Sequence, residues 1–274
     1  MGLGRECVTF HTVLSLASMR RVPIATALAG TATLVALLHA GAACAEGDDY
    51  RVELRRQNTD RGTDEESTRT TVRVETRLEG MVSRLRLDLP FPDGKNDFSG
   101  DPFQPQRGDM KVRAYFRPFQ AGETRLSTDV EMTFPTAASS SSGAGKYQLS
   151  AALHSVPGAP DFTLDSAKHQ LRFEWSIRQA VSFAGDRDRK DINNTKPELA
   201  LRDTIGSRYS LKLTFKPTID WIQDGRTGAM LELEGGWNAS RDWRLSITGG
   251  ARLWGDHIPG ISNRKVELVV GHTF

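Results

Sequence analysis

A two-residue period runs through this chain from Tyr50 to its last residue, and it leaves few folds open. In Val266-Glu-Leu-Val-Val-Gly-His-Thr-Phe274, residues Val266, Leu268, Val270, His272 and Phe274 fall on one face of an extended strand. Glu267, Val269, Gly271 and Thr273 fall on the other, because successive side chains of a strand alternate sides. The same alternation sets Val72 and Val74 against Arg73, Glu75 and Arg77, and Leu126, Val130, Met132 and Phe134 against Asp129 and Glu131. It sets Leu171, Phe173, Trp175 and Ile177 against Arg172, Glu174 and Arg178. No stretch of comparable length carries apolar residues at the i, i+3, i+4 spacing of a helix, so the chain reads as all-β.

Two architectures suit strands with one apolar and one polar face: a soluble sandwich of two sheets, and a closed barrel whose apolar face meets lipid. The connections separate them. Glu79-Gly80, Gln120–Glu123 and Asn238–Asp242 are short; Asn58–Ser67, Pro92–Gly108, Thr136–Lys146 and Gly185–Lys196 are long and rich in Gly, Asp, Asn and Ser. Short turns on one rim and long loops on the other are the outer-membrane pattern, the short turns being periplasmic. Terminal Phe274, on the apolar face of its strand, fits that pattern and reads as the signal taken up by barrel-assembly machinery. The expected fold is therefore a single closed antiparallel transmembrane β-barrel in outer-membrane lipid. With both termini in the periplasm the strand number is even. Eleven strands are clear and Pro197–Thr204 supplies a twelfth; with that segment in a loop the number is ten. Trp237 and Trp243 flank one short turn and Trp221 and Trp254 sit near strand ends, as in an interfacial aromatic girdle.

The N-terminal stretch reads as an address. Met19-Arg-Arg-Val-Pro is a charged start, Ile24–Leu38 an apolar run, and Ala43-Cys-Ala45 a small-residue cleavage pattern. Residues 1–45 are thus expected to be an upstream extension and signal peptide cleaved near Ala45, with Met1 or Met19 as the start, and 46–274 the barrel. Two other readings stand beside this one. Gly41-Ala-Ala-Cys44 resembles a lipobox, which would lipidate Cys44, and the 22 residues from Ile24 to Ala45 are long enough for a retained helical anchor.

From Glu46 on there are 33 basic and 33 acidic residues. Such a balance carries none of the basic excess of a nucleic-acid binder, and no nucleic-acid partner is expected. Both cysteines, Cys7 and Cys44, precede the expected cleavage point, which removes disulfide frameworks and thiolate metal sites from the mature chain. If the apolar face meets lipid, the charged face lines the lumen. Arg73, Glu75, Arg113, Glu131, Arg172, Glu174, Lys212 and Glu232 are the lumen-lining candidates. Their mixed signs should pair across strands, since an unpaired charge in a narrow interior is expensive.

No catalytic, cofactor or metal set is assigned. His154-Ser155 is the only adjacent His/Ser pair and has no acidic orienter at a telling spacing; it is the one place a lipid-modifying activity could reside. Ser139–Ser142 is a flexible loop rather than a nucleophile elbow. Asp186-Arg-Asp-Arg-Lys-Asp191 lacks the ligand spacing of a calcium loop.

Three segments carry a family likeness: Gly108-Asp-Met-Lys-Val-Arg-Ala-Tyr-Phe-Arg117, Glu131-Met-Thr-Phe-Pro-Thr136 and Gly143-Ala-Gly-Lys-Tyr-Gln-Leu149. They resemble the outer-membrane transporter-like family named after the meta pathway of phenol degradation. In that family a Gly-Asp opens a strand, a Leu-Pro-Thr-Gly type segment ends the next and Gly-x-Gly-Lys opens a third. Here Ala137 stands where the family has glycine. The resemblance implies an outer-membrane barrel that passes small molecules, hydrophobic or aromatic compounds among them, and it carries over no binding residue. The expected function is a channel or transporter for a small-molecule solute; the alternatives are a non-transporting envelope barrel and a lipid-modifying enzyme using His154.

Overall fold

The computed structural model describes residues 50–93, 106–156, 163–165 and 169–274. The export signal expected before Glu46 lies outside the described residues. The chain lays down β1 (Tyr50–Thr59), β2 (Ser67–Arg77), β3 (Val82–Pro92), β4 (Met110–Phe116), β5 (Phe119–Ala121), β6 (Thr124–Phe134) and β7 (Lys146–Ser155). There follow β8 (Thr163–Asp165), β9 (His169–Gly185), β10 (Asn193–Ile205), β11 (Tyr209–Asp220), β12 (Arg226–Asn238), β13 (Trp243–Trp254) and β14 (Arg264–Thr273). One 3-10 turn, Trp221–Gln223, is capped by Asp220. No α-helix occurs among the described residues.

All pairings are antiparallel, the barrel strands follow one another in chain order, and β14 pairs with β1. The circuit β1-β2-β3-β4-β6-β7-β9-β10-β11-β12-β13-β14 is closed, a barrel of twelve strands, with β5 continuing β4 against β6 and β8 added beside β9. Closure removes the unpaired edges that an open sheet of this size would present. The twelfth strand is β10, the segment around Pro197–Thr204, so the count of ten falls away. The strand also starts earlier than its sequence suggested. Asn193 to Lys196 read as the end of a long loop because Pro197 follows, yet they pair with β9. Pro197 is tolerated because the β10–β11 ladder has a gap there: pairing stops at Thr195/Ile219 and resumes at Leu199/Phe215, with Pro197 and Pro217 both inside the gap. Two residues without N–H donors thus share one break.

The connections sort by rim. Residues 60–66, 93–109, 135–145, 186–192, 221–225 and 255–263 join strands at one end; 78–81, 122–123, 206–208 and 239–242 join them at the other. The exception on the short rim is the β7–β9 connection, which is long enough to carry β8.

Burial is inverted relative to a soluble domain. Among the described residues, six apolar side chains are buried against seventeen polar or charged ones, and thirty large apolar residues lie exposed. Stacked sheets would bury those apolar faces against each other. A closed ring leaves them outward, which is stable only where hydrocarbon is the solvent. The outward aromatics gather at two levels. Tyr209, Trp237 and Trp243 stand near the short rim and Phe183, Trp221 and Trp254 near the long one, all at least 45% exposed. Trp243 and Trp254 end the same strand; the eleven steps of tilted strand between them span roughly 26 Å along the barrel axis, the height of an outer-membrane apolar band.

The three family-like segments meet in one knot on the long-loop rim. Asp109, buried, accepts hydrogen bonds from the amides of Ala137 (3.1 Å) and Ala144 (2.6 Å). The Thr136 hydroxyl accepts from the Met110 amide and donates to the Gly108 carbonyl, each at 2.9 Å. A β-carbon on Gly143 would collide with the Asp109 carboxylate and Ala137. The motif is thus a loop clamp made of a carboxylate, a hydroxyl and a missing side chain.

Candidate functional site

Register decides which charges meet. Glu53, Arg73, Asp88 and Lys111 are directly opposite one another across β1, β2, β3 and β4, and Arg86, Arg113, Glu131 and Ser150 across β3, β4, β6 and β7. All eight sequence-derived lumen candidates lie on this inward face, interleaved with acids and bases that the same alternation places there.

The inward charges form a chain of ion pairs that runs almost round the barrel. Glu232 on β12 meets Lys216 on β11 at 2.7 Å and Lys265 on β14 at 3.0 Å. Lys265 also reaches Glu267 at 3.4 Å, which pairs with Arg55 on β1. Glu53 meets Arg51 (2.6 Å), Arg55 (3.5 Å) and Arg73 (3.4 Å). Asp88 meets Arg73 (2.7 Å) and Arg86 (3.4 Å), and Arg86 passes the chain to Glu131 at 3.4 Å. Glu131 pairs with Arg113, whose Nε lies 3.6 Å from Asp129. Asp129 ends the series with His154 and, at 2.9 Å, Arg178 on β9. Each acid touches at least two cations, so neither sign is left alone in a confined space.

Nearer the short rim, Glu174 holds Arg202 at 2.7 Å and Lys212 at 3.2 Å, and Glu75 holds Arg84 at 3.3 Å. Arg172 faces the same way and contacts Gln170 at 3.3 Å. Arg84 also lies over the Tyr115 ring, its guanidinium carbon 3.9 Å from the centroid, and Arg86 donates to the Tyr115 hydroxyl at 2.7 Å. Tyr115 is the one aromatic on the inward face of the described strands.

His154 and Ser155 do not form a dyad. His154 points inward to Asp129, while the Ser155 hydroxyl donates to the Trp175 carbonyl (3.2 Å) and accepts from its amide (2.9 Å) on the opposite face. Among the described residues no cluster of His, Cys, Asp and Glu is arranged to hold a metal ion.

Two cavities open on the interior. One, of about 540 Å³ at the short rim, is lined by Arg51, Arg208, Arg241 and Arg244 with Asp242 as its one acid. The other, of about 520 Å³ towards the long loops, gathers Arg69, Lys196, Lys216 and Lys265 with the acids Asp60, Glu65, Glu198 and Glu232. Of these, Arg69 and Lys196 escaped the sequence reading: Lys196 because it sat in an apparent loop, Arg69 because its strand begins among polar residues.

No protein-family model and no curated sequence matches the chain. Solved structures do. An outer membrane channel from Pseudomonas putida F1 superposes with a TM-score of 0.57 at 13% identity, over 82% of this chain and 94% of that one. The NanC porin gives 0.52 at 10% identity, covering 81% and 98%. The KdgM porin in complex with disordered oligogalacturonate gives 0.52 at 7% identity, covering 82% and 99%. At these identities the likeness is one of fold, and the fold they share with this chain is the outer-membrane β-barrel.

Proposed function

We propose that this protein is a passive channel of the bacterial outer membrane, admitting small water-soluble molecules. The observation that carries this reading is the solvent access of side chains that face the inside of a closed ring. The side chains of Arg84 and Lys111 are 42% and 40% exposed, that of Arg51 is 33% exposed, and Arg69 is also exposed. A barrel packed solid would exclude water from such groups, as about eight strands do; twelve leave more room. The polar lining, with Tyr115 as its only inward strand aromatic, favours hydrated solutes over apolar ones. The aromatic cargo implied by the family resemblance fits this lumen when the aromatic carries a polar or charged group. The outward Val266, Leu268 and Val270 of β14 support insertion by barrel-assembly machinery, and the two aromatic belts support residence in lipid.

Reconstitution into planar bilayers tests the reading. Discrete single-channel steps and solute flux into liposomes are expected. A correctly folded barrel, identified by its heat-dependent shift on a gel, that shows neither would favour a sealed envelope protein instead.

A further inference from the structure

The chain from Glu46 on is neutral, but its charge is not evenly placed. On the inward faces of the described barrel strands stand twenty-one arginines and lysines against eleven aspartates and glutamates. The remaining residues from Glu46 to Phe274 therefore carry an acidic excess of the same size. The stretches between described residues cannot reverse the sign, since residues 94–105, 157–162 and 166–168 hold only Lys95, Asp97, Asp101, Asp161 and Lys168. A basic interior in a wall of low dielectric concentrates anions and repels cations.

The excess is not spread uniformly. From Glu232 round to Asp129 every acid of the inner chain of ion pairs is shared by at least two cations, which neutralises much of it. Arg69 and Lys196 are different. Both face the 520 Å³ cavity, and neither has a carboxylate within 4 Å among the described residues. Lys196 stands opposite Arg178 on β9 and two residues before Glu198, the β10 acid that meets Lys216 at 3.9 Å, so it lies at the break between the two ends of the ion-pair chain. Gly260 leaves the space beside its ammonium group open, a β-carbon there lying 3.4 Å from Nζ. With Lys216 and Lys265 engaged by Glu232, Arg69 and Lys196 are the cations of the cavity that hold no carboxylate among the described residues.

Resting on the channel reading above, we infer that the pore selects for small anions and that Arg69 and Lys196 form its anion contact. A permeating inorganic or organic anion would exchange part of its water for the Arg69 guanidinium and the Lys196 ammonium. It would then leave through the arginine-lined mouth at the short rim.

The test is the zero-current potential of the full-length folded protein in a planar bilayer under a potassium chloride gradient. The wild type is expected to pass chloride at least about threefold faster than potassium at low ionic strength, with the ratio falling as salt screens the lumen. The Arg69→Glu/Lys196→Glu pair should carry the ratio to unity or below, and the milder Arg69→Gln/Lys196→Gln pair should lower it part of the way. Conductance should stay within roughly twofold, as expected when the bore is little changed and only its potential is altered. A heat-shifted gel band reports folding of each variant, and the glutamine pair serves if the glutamate pair does not fold. A conducting wild type with potassium as permeant as chloride overturns the anion inference and leaves the channel reading standing. A folded wild type without conductance overturns both. An anion-selective wild type whose ratio neither pair moves overturns the assignment to Arg69 and Lys196.

Discussion

Lys265 meets Glu232 at 3.0 Å although a whole strand, β13, lies between them. Gly250 makes this possible. It is the β13 residue opposite both, and a β-carbon there would stand 3.0 Å from Glu232 Cγ and 3.4 Å from Lys265 Cβ. The ion-pair chain thus crosses β13 because β13 offers no side chain at that level. Gly250→Val should push the two strands' charges apart and destabilise the barrel by about 1–3 kcal/mol, the cost of overpacking a filled site. The temperature at which the folded gel band converts to the unfolded one should fall accordingly. An unchanged transition would mean that the contact across β13 contributes nothing.

Asp129 is the most enclosed charge of the lumen, 0% exposed, with Arg113, His154 and Arg178 around it. Asp129→Ala leaves three basic groups facing one another. We expect a loss of about 2–4 kcal/mol, below the upper end for a fully buried pair because the partners keep some contact with water. Urea unfolding of the refolded barrel in vesicles, followed by tryptophan fluorescence, measures it. Asp129→Asn should cost nearly as much if charge, rather than shape, is what the site requires.

Much of this architecture was legible in the residues, for a physical reason. A strand in a membrane barrel has a different solvent on each face, so Leu171, Phe173 and Trp175 against Arg172 and Glu174 declare sidedness directly. The clamp of Gly108, Asp109, Thr136 and Gly143 was legible as motif, though its purpose was not, because a carboxylate capping two amides 28 and 35 residues away leaves no local pattern. The ion-pair chain was only half legible. Alternation puts Glu232 and Lys265 on the inward face, but their meeting depends on register and on an empty Gly250 between them. Lys196 was hidden by Pro197, which ordinarily ends a strand and here shares a ladder gap with Pro217. The lumen's basic excess was invisible, because a sequence with equal numbers of each sign shows nothing until topology sorts them.

The 60–66 loop contains a carboxylate that titrates with its fold. Glu66 accepts hydrogen bonds from the Gly62 amide and the Asn58 side chain, each at 2.9 Å. These donors, the Gly62 amide foremost, hold its carboxyl below the ordinary glutamate value. A lowered value means the contribution is present above the unfolded pKa, the ordinary glutamate value, and is lost as pH falls through the folded one. The Gly62 amide resonance in detergent micelles should therefore shift with a midpoint below that of free glutamate. Glu66→Gln should abolish that titration; its persistence would show that Glu66 does not govern the Gly62 amide.

Ile177 and Ser176 are neighbours in the middle of β9 that face opposite solvents. Ile177 is 43% exposed on the outside, beside Leu153 and Pro197, while Ser176 faces inward between His154 and Glu198. An arginine at Ile177 would sit near the midplane of the hydrocarbon, where such a charge costs about 2–4 kcal/mol. The same arginine at Ser176 would reach water and the Glu198 carboxylate, and should cost less than about 1 kcal/mol. Parallel urea titrations of Ile177→Arg and Ser176→Arg in vesicles give the comparison. Equal costs would deny that lipid meets one face and water the other, since in a soluble double layer both positions would answer to protein packing alone.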